Sequence, residues 1–338
     1  MSGQIEEPFV KGINYDVGTE FRPGDLSRAA WNRSDVARDM RVIREELKCT
    51  SVNVYGTELS RLGEAAAIAL EQGLHVSFQP RVIDGDRGDG LELMNEAAAL
   101  ANDTGGKDDV TLNIGCEITL FTRGFIPGHT FRNRMRNLVL TWPLLGRISS
   151  KLNDYLTELA NVARGQFEGP ITYGAGSWER VDWAPFDLVG VNLYRNHWNE
   201  KTYQDDLVRL LENGKPVVIT EFGCATFEGA ERRGGGGWTI VDFDSDPIRV
   251  KPGHRRSERI QAELLGELLG LFKSAGVHGA YVFDFMGASF PHVADPRLDL
   301  DMASYGVVRV IPTPDERDSI AWERKESFGE VARRYGEW

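Results

Sequence analysis

Short apolar or β-branched runs alternate along the chain with longer stretches in which apolar residues recur at helical spacing. Eight runs read as strands, at 10–15, 51–55, 74–79, 110–116, 171–175, 188–194, 216–222 and 279–285. Between them the helical pattern occupies 35–47, with Ser34 or Asp35 as its cap, then 59–70, 91–101, 152–163, 203–211 and 257–275, and a last helix over 319–335 closes the series. Only the 178–185 connection is short, with room for a turn or so of helix. Strand and helix in strict alternation predict parallel strands joined by crossover helices. Eight such units make a (β/α)8 barrel, an α/β fold, with long loops after strands four, seven and eight.

The length of 338 residues suits one barrel with insertions, and no Pro/Ser-rich linker or internal repeat divides it, so a single domain over 1–338 is expected. Composition changes the picture mainly through charge. A formal net charge of −12 sets most of the surface against a nucleic-acid backbone or an anionic membrane, and a neutral partner is expected. The chain opens MSGQIEEPFVKG, with no basic segment leading into an apolar run, and no stretch approaches eighteen uninterrupted apolar residues. The expectation is a soluble cytoplasmic protein, its oligomeric state open. Cys49, Cys116 and Cys224 show no CxxC spacing, and the six histidines include no HxH or HExxH, so neither a metal nor an organic cofactor is expected.

Two insertions stand out. Residues 122–150, after strand four, carry Arg123, Arg132, Arg134, Arg136 and Arg147 without an acid; residues 225–256, after strand seven, include Gly234, Gly235, Gly236 and Gly237. Both belong at the C-terminal rim, where such barrels keep their active sites, and both are expected to wall its mouth into a restricted pocket. The arginines read either as a solvated face or, through Arg132, Arg134 or Arg136, as a clamp for a carboxylate or phosphate on the substrate. The glycine run reads as a mobile surface loop, too flexible for regular structure without outside contacts, and no Lys-Ser or Lys-Thr follows it as in a phosphate-binding loop.

The chemistry is carried by two strand ends. Strand four closes on Gly115-Cys116-Glu117 and strand seven on Ile219-Thr220-Glu221-Phe222-Gly223. A carboxylate ending an apolar strand is costly unless paired, hydrogen-bonded or used; either alone is compatible with a rim salt bridge, and the two together point to function. Glycoside cleavage needs such a pair, one carboxylic acid to protonate the leaving oxygen and one carboxylate opposite it.

On these motifs the sequence resembles the large retaining (β/α)8 glycoside hydrolase superfamily commonly called clan A, across roughly residues 9–285. The resemblance implies that Glu117 is the acid/base, that Glu221 is the nucleophile, and that Tyr194, ending strand six, hydrogen-bonds that nucleophile. One departure stands out: the clan usually has Asn, a ligand of the sugar 2-hydroxyl, immediately before the acid/base, and this chain has Cys116. A thiol is a weak hydrogen-bond partner, so that contact is either lost or supplied elsewhere. Cys116 itself reads as a small packing residue or, less economically, as a catalytic thiol.

Other strand ends offer polar and aromatic groups suited to a sugar: Asn14 and Tyr15, Asn53 and Tyr55, Gln79 and Arg81, Trp178, Asn192, Asn196, and Asp284 with Phe285. The segment 299–306 either returns over the mouth to offer Asp301 or Tyr305, or braces the loop after strand eight. The leading reading is a retaining glycosidase acting on a carbohydrate or glycoside. The alternatives are a barrel that binds carbohydrate without cleaving it, and a relative recruited for transglycosylation or another step of specialised metabolism.

Overall fold

A computed structural model describes residues 8–313 and 319–338. Its centre is a closed barrel of eight parallel strands: β1 (Val10–Gly18), β2 (Ser51–Gly56), β3 (His75–Pro80), β4 (Val110–Cys116), β5 (Ile171–Gly176), β6 (Val189–Asn192), β7 (Val217–Phe222) and β8 (Gly279–Val282). The helices that return the chain are α1 (Arg33–Glu45), α2 (Leu59–Glu71), α3 (Arg87–Thr104), α4 (Leu145–Arg164), α5 (Tyr203–Leu211), α6 (Glu258–Ser274) and α7 (Glu326–Gly336). One contiguous apolar core lies between the strands and this helical layer. Among the described residues no helix is long and apolar enough to cross a membrane.

The predicted elements are present, with shifts at their ends. Asn32, not Ser34 or Asp35, caps α1, its side chain accepting from the Asp35 amide at 2.8 Å. β6 stops at Asn192 and β8 at Val282, which leaves Tyr194 and Asp284 on the turns beyond them. α4 begins at Leu145, so the end of the arginine-rich insertion is helical, preceded by a short helix Phe131–Asn137 and a 3-10 turn Val139–Leu144. The expected closing helix over 319–335 is half right. Ala321–Arg324 (β11) is extended and pairs antiparallel with β10 (Val308–Ile311), itself beside β9 (Met286–Pro291), and the helix starts only at Glu326. The neighbouring strand supplies hydrogen bonds that outweigh the local helical preference of the segment.

Candidate active site

Glu117 and Glu221 both sit where the barrel register slips. Between β4 and β5, Asn113 pairs with Thr172 but Cys116 with Gly174, so β4 carries one extra residue; between β6 and β7, Val191 pairs with Ile219 but Asn192 with Glu221, so β7 does the same. A bulge breaks the in-out alternation of a strand and re-aims side chains. Consecutive side chains therefore reach into the site: Cys116, ending β4, and Glu117 after it both meet the Asn192 amide, and Thr220 of β7 meets the same residue while Glu221 beside it meets Arg81 and Tyr194. Gly115 (φ 149°) accommodates the first bulge, and Glu117 itself adopts a left-handed conformation, φ 41°, unfavourable for a side-chain-bearing residue.

The two carboxylates meet opposite surroundings. Glu221 is buried; its Oε1 accepts from Arg81 Nη2 at 2.6 Å and from the Cys116 thiol at 3.4 Å, and its Oε2 accepts from the Tyr194 hydroxyl at 3.0 Å. Arg81, itself buried, lies with its guanidinium 3.9 Å from the centroid of the Tyr55 ring and donates also to Gln79 Oε1. Among the described residues no cation pairs with Glu117. Asn192 Nδ2 donates to its Oε1 at 3.1 Å, and burial, followed by the negative charge of Glu221, pushes its carboxyl up to about 8. Burial and the neighbouring Glu221 thus favour the protonated form of Glu117, while Glu221 itself is paired with a guanidinium.

Below them lies a polar floor. Asn14 Nδ2 donates to the Thr220 carbonyl (2.9 Å), Asn53 Nδ2 to Asn14 Oδ1 (2.6 Å), the Ser77 hydroxyl to Asn53 Oδ1 (2.7 Å), and the Thr220 hydroxyl to Asn192 Oδ1 (2.8 Å). Asn14 and Asn53 are thereby committed to positioning strands. The same Asn192 amide nitrogen stands 3.2 Å from Cys116 Sγ, so an amide donor reaches the neighbourhood from which the residue before Glu117 withholds one. The Cys116 thiol is buried and pushed well above its usual range by burial and by the charge of Glu221, which disfavours the thiolate a catalytic cysteine requires.

Trp178 flanks the acid side, donating from Nε1 to the Thr119 hydroxyl at 3.0 Å. Glu179, its neighbour, accepts from Thr119, the Tyr173 hydroxyl and the Gly176 amide, and so braces the turn that carries Glu117. Glu179 was not anticipated: in sequence it lies in a polar turn, with no signal that it would be enclosed. Tyr55 and Asp284 lie on the opposite side, the Tyr55 hydroxyl 3.3 Å from Asp284 Oδ2. Phe283 packs edge-on against Tyr194 and stacks with Tyr55.

Three expected site residues belong elsewhere. Tyr15 points outward from β1 and donates to Asp39 of α1, leaving its neighbour Asp16 on the mouth side. Phe285 is buried between Tyr15 and Trp322. Asn196 spends its side chain on the Trp198 and Asn199 amides of its own loop. Alternation decides the first, since adjacent strand residues face opposite ways; the other two lie in turns whose course periodicity does not encode.

The insertions meet across the rim. Phe131 packs on Phe121 and on Phe21 from the loop after β1, and Arg132 pairs with Asp244 and lies over Phe243 from the loop after β7. Arg134 is fully buried, donating to the carbonyls of Leu120, Gly128 and Phe121 and pairing with Asp84. Arg123, Arg136 and Arg147 are exposed. Of the two readings of the arginines, the clamp finds no support: Arg134 and Arg132 are spent on holding loops together, and Arg136 stays at the surface. The glycines are not a loose loop either. Gly234–Ile240 is a 3-10 turn clamped by the Tyr305 hydroxyl, which donates to the Gly234 carbonyl and accepts from the Gly237 amide. Asp301 is a buried partner of Arg256 and Lys325, so 299–306 is a brace. Among the described residues no group of three or more His, Cys, Asp or Glu side chains is arranged to hold a metal ion.

No protein-family model matches the chain, and no curated protein matches it in sequence. Solved structures do match in shape. One is a GH113 β-1,4-mannanase at 15% identity and TM-score 0.62, covering 98% of this chain and 99% of that one. Another is the GH113 β-mannanase AaManA from Alicyclobacillus acidocaldarius in complex with ManMIm, at 16%, 0.61 and 97% of both chains. A third is Thermotoga maritima Cel5A in complex with mannotriose, at 15%, 0.51 and 88% of this chain against 98% of that one. The chain shares the barrel fold of glycoside hydrolases. At these identities the likeness concerns the fold.

Proposed function

We propose that the chain is a retaining glycoside hydrolase in which Glu221 is the nucleophile and Glu117 the acid/base. The observation that carries this reading is the unlike surroundings of two carboxylates at one rim: Glu117 bonded by the Asn192 amide and pushed up to about 8, Glu221 paired with Arg81 and hydrogen-bonded by Tyr194. In the first step Glu221 attacks the anomeric carbon as the glycosidic C–O bond breaks, and the Glu117 proton goes to the leaving oxygen. In the second, water attacks the glycosyl ester, gives its proton to Glu117, and Glu221 is released. A silent sugar-binding barrel has no need to hold two acids in such unlike surroundings.

The test uses aryl β-glycosides and β-1,4-mannooligosaccharides, the latter chosen from the names of the similar structures. Glu221→Ala removes turnover by about 10⁴-fold or more, and azide restores it as a glycosyl azide. Glu117→Ala spares substrates with good leaving groups and stops those with poor ones. Full activity in Glu221→Ala overturns the assignment. Product analysis separates hydrolysis from transfer to a second sugar.

A further inference from the structure

Two aspartates lie beside each other on the mouth side of β1 and β8, and their hydrogen bonding differs. Asp16 is saturated: Oδ1 accepts from the Gly18 amide at 2.9 Å and the Thr19 hydroxyl at 3.2 Å, and Oδ2 accepts from the Ser27 hydroxyl. Among the described residues Asp284, 5% exposed, has only the Tyr55 hydroxyl on Oδ2, at 3.3 Å, and its Oδ1 is buried without a hydrogen-bond partner. Leaving such an acceptor unpaired and out of water is unfavourable. The charge of buried Lys325 reaches Asp284, but its Nζ stands beside Asp301 Oδ1 at 2.9 Å.

Asp284 has no ready way to relieve this cost by moving. Its amide donates to the Tyr305 carbonyl and its carbonyl accepts from the Val307 amide, which pins the backbone on both sides. Tyr55, the residue on its other oxygen, stacks with Phe283 and lies under Arg81, the guanidinium that holds Glu221. The unpaired oxygen is thus built into the wall that carries the nucleophile.

Resting on the glycosidase reading, we infer that Asp284 reads the sugar: its unpaired oxygen accepts a hydrogen bond from a donor substituent, hydroxyl or amino, on the ring bound against Glu221, and it turns away a ring bearing a carboxylate there. Burial, then the charge of Asp16, raises the Asp284 carboxyl to about 7, consistent with an acceptor that lacks its donor. The substrate class this selects is a neutral or amino glycoside, the opposite of what a row of arginines in the loop after β4 implies by sequence. Asp284 is a specificity residue and takes no proton or bond in the reaction.

The test measures kcat/KM, and the affinity of matching iminosugar inhibitors by calorimetry, for a parent glycoside, its monodeoxy analogues, an amino-sugar glycoside and a uronide. Wild type is expected to lose about 10²-fold on one monodeoxy analogue and at least as much on the uronide. Asp284→Ala erases the deoxy discrimination. Asp284→Asn keeps it and admits the uronide if the donor is a hydroxyl, whereas loss of a wild-type preference for the amino sugar in Asp284→Asn identifies an ammonium. Equal wild-type rates and affinities across the deoxy series and the uronide overturn the inference without any variant having to fold, as does unchanged discrimination in a folded Asp284→Ala. Discrimination in binding with no turnover strikes the hydrolase reading alone; turnover without discrimination strikes this inference alone.

Discussion

Arg81 and Arg134 are both buried, both at the rim, and both paired with an acid, yet they serve different regions. Arg81 follows β3 and turns inward, where it balances Glu221 and lies on Tyr55. Arg134 is in the insertion after β4 and points into protein backbone, binding three carbonyls and Asp84. The strand-end ring uses its arginine to hold a reactive charge in a defined state; the insertion uses its arginine as a substitute for the secondary-structure hydrogen bonds its irregular backbone lacks. Neither the type of residue nor its burial separates these roles. Only the acceptor does.

The sharpest way to break this comparison is to remove Arg81. Arg81→Met leaves the Glu221 charge unbalanced, and kcat is expected to fall about 10²- to 10³-fold. The same change moves the pH profile in a defined direction. Glu117 must be protonated to act as acid, so kcat/KM falls as pH rises through about 8; Arg81 holds the Glu117 carboxyl down, and its loss carries that alkaline limb upward. A limb that stays in place disconnects Arg81 from the acid.

Arg134→Ala tests the other side. It strips a buried guanidinium from three carbonyls and Asp84, and unfolding free energy in urea is expected to drop by about 3–5 kcal/mol. A drop of that size with kcat per folded molecule near wild type separates a brace from a substrate clamp, and a selective loss on acidic glycosides restores the clamp. The smallest effect is expected at Arg132, which reaches an exposed Asp244. Arg132→Ala changes stability by less than about 1 kcal/mol, and KM for an oligosaccharide measures whether the bridge between the two insertions shapes the mouth.

Much of the molecule was legible because it is periodic. Apolar runs and helical spacing locate eight strands and the helices between them, and two strand-ending glutamates are conspicuous because apolar strands rarely finish on a charge. Arg81, Tyr55, Gln79, Asn192 and Tyr194 follow from the same register and lie together about Glu221 and Glu117. The insertions were legible only as charge and glycine content, and there composition misled: a helix of basic residues reads the same whether its guanidinium groups face substrate or carbonyl oxygens.

What the sequence determined by itself is the barrel, the two carboxylates and the side of the molecule on which they stand, because these depend on local periodicity and on where strands stop. The tertiary structure decided the rest. The bulges in β4 and β7 beside which Glu117 and Glu221 stand exist only in the pairing between strands. The unlike surroundings of two identical side chains depend on a guanidinium just after β3 and an amide at the end of β6. The unpaired oxygen of Asp284 depends on which neighbours a turn brings within hydrogen-bonding distance. Each is a sum of interactions between residues far apart in the chain, and periodicity, which is a local property, carries no record of them.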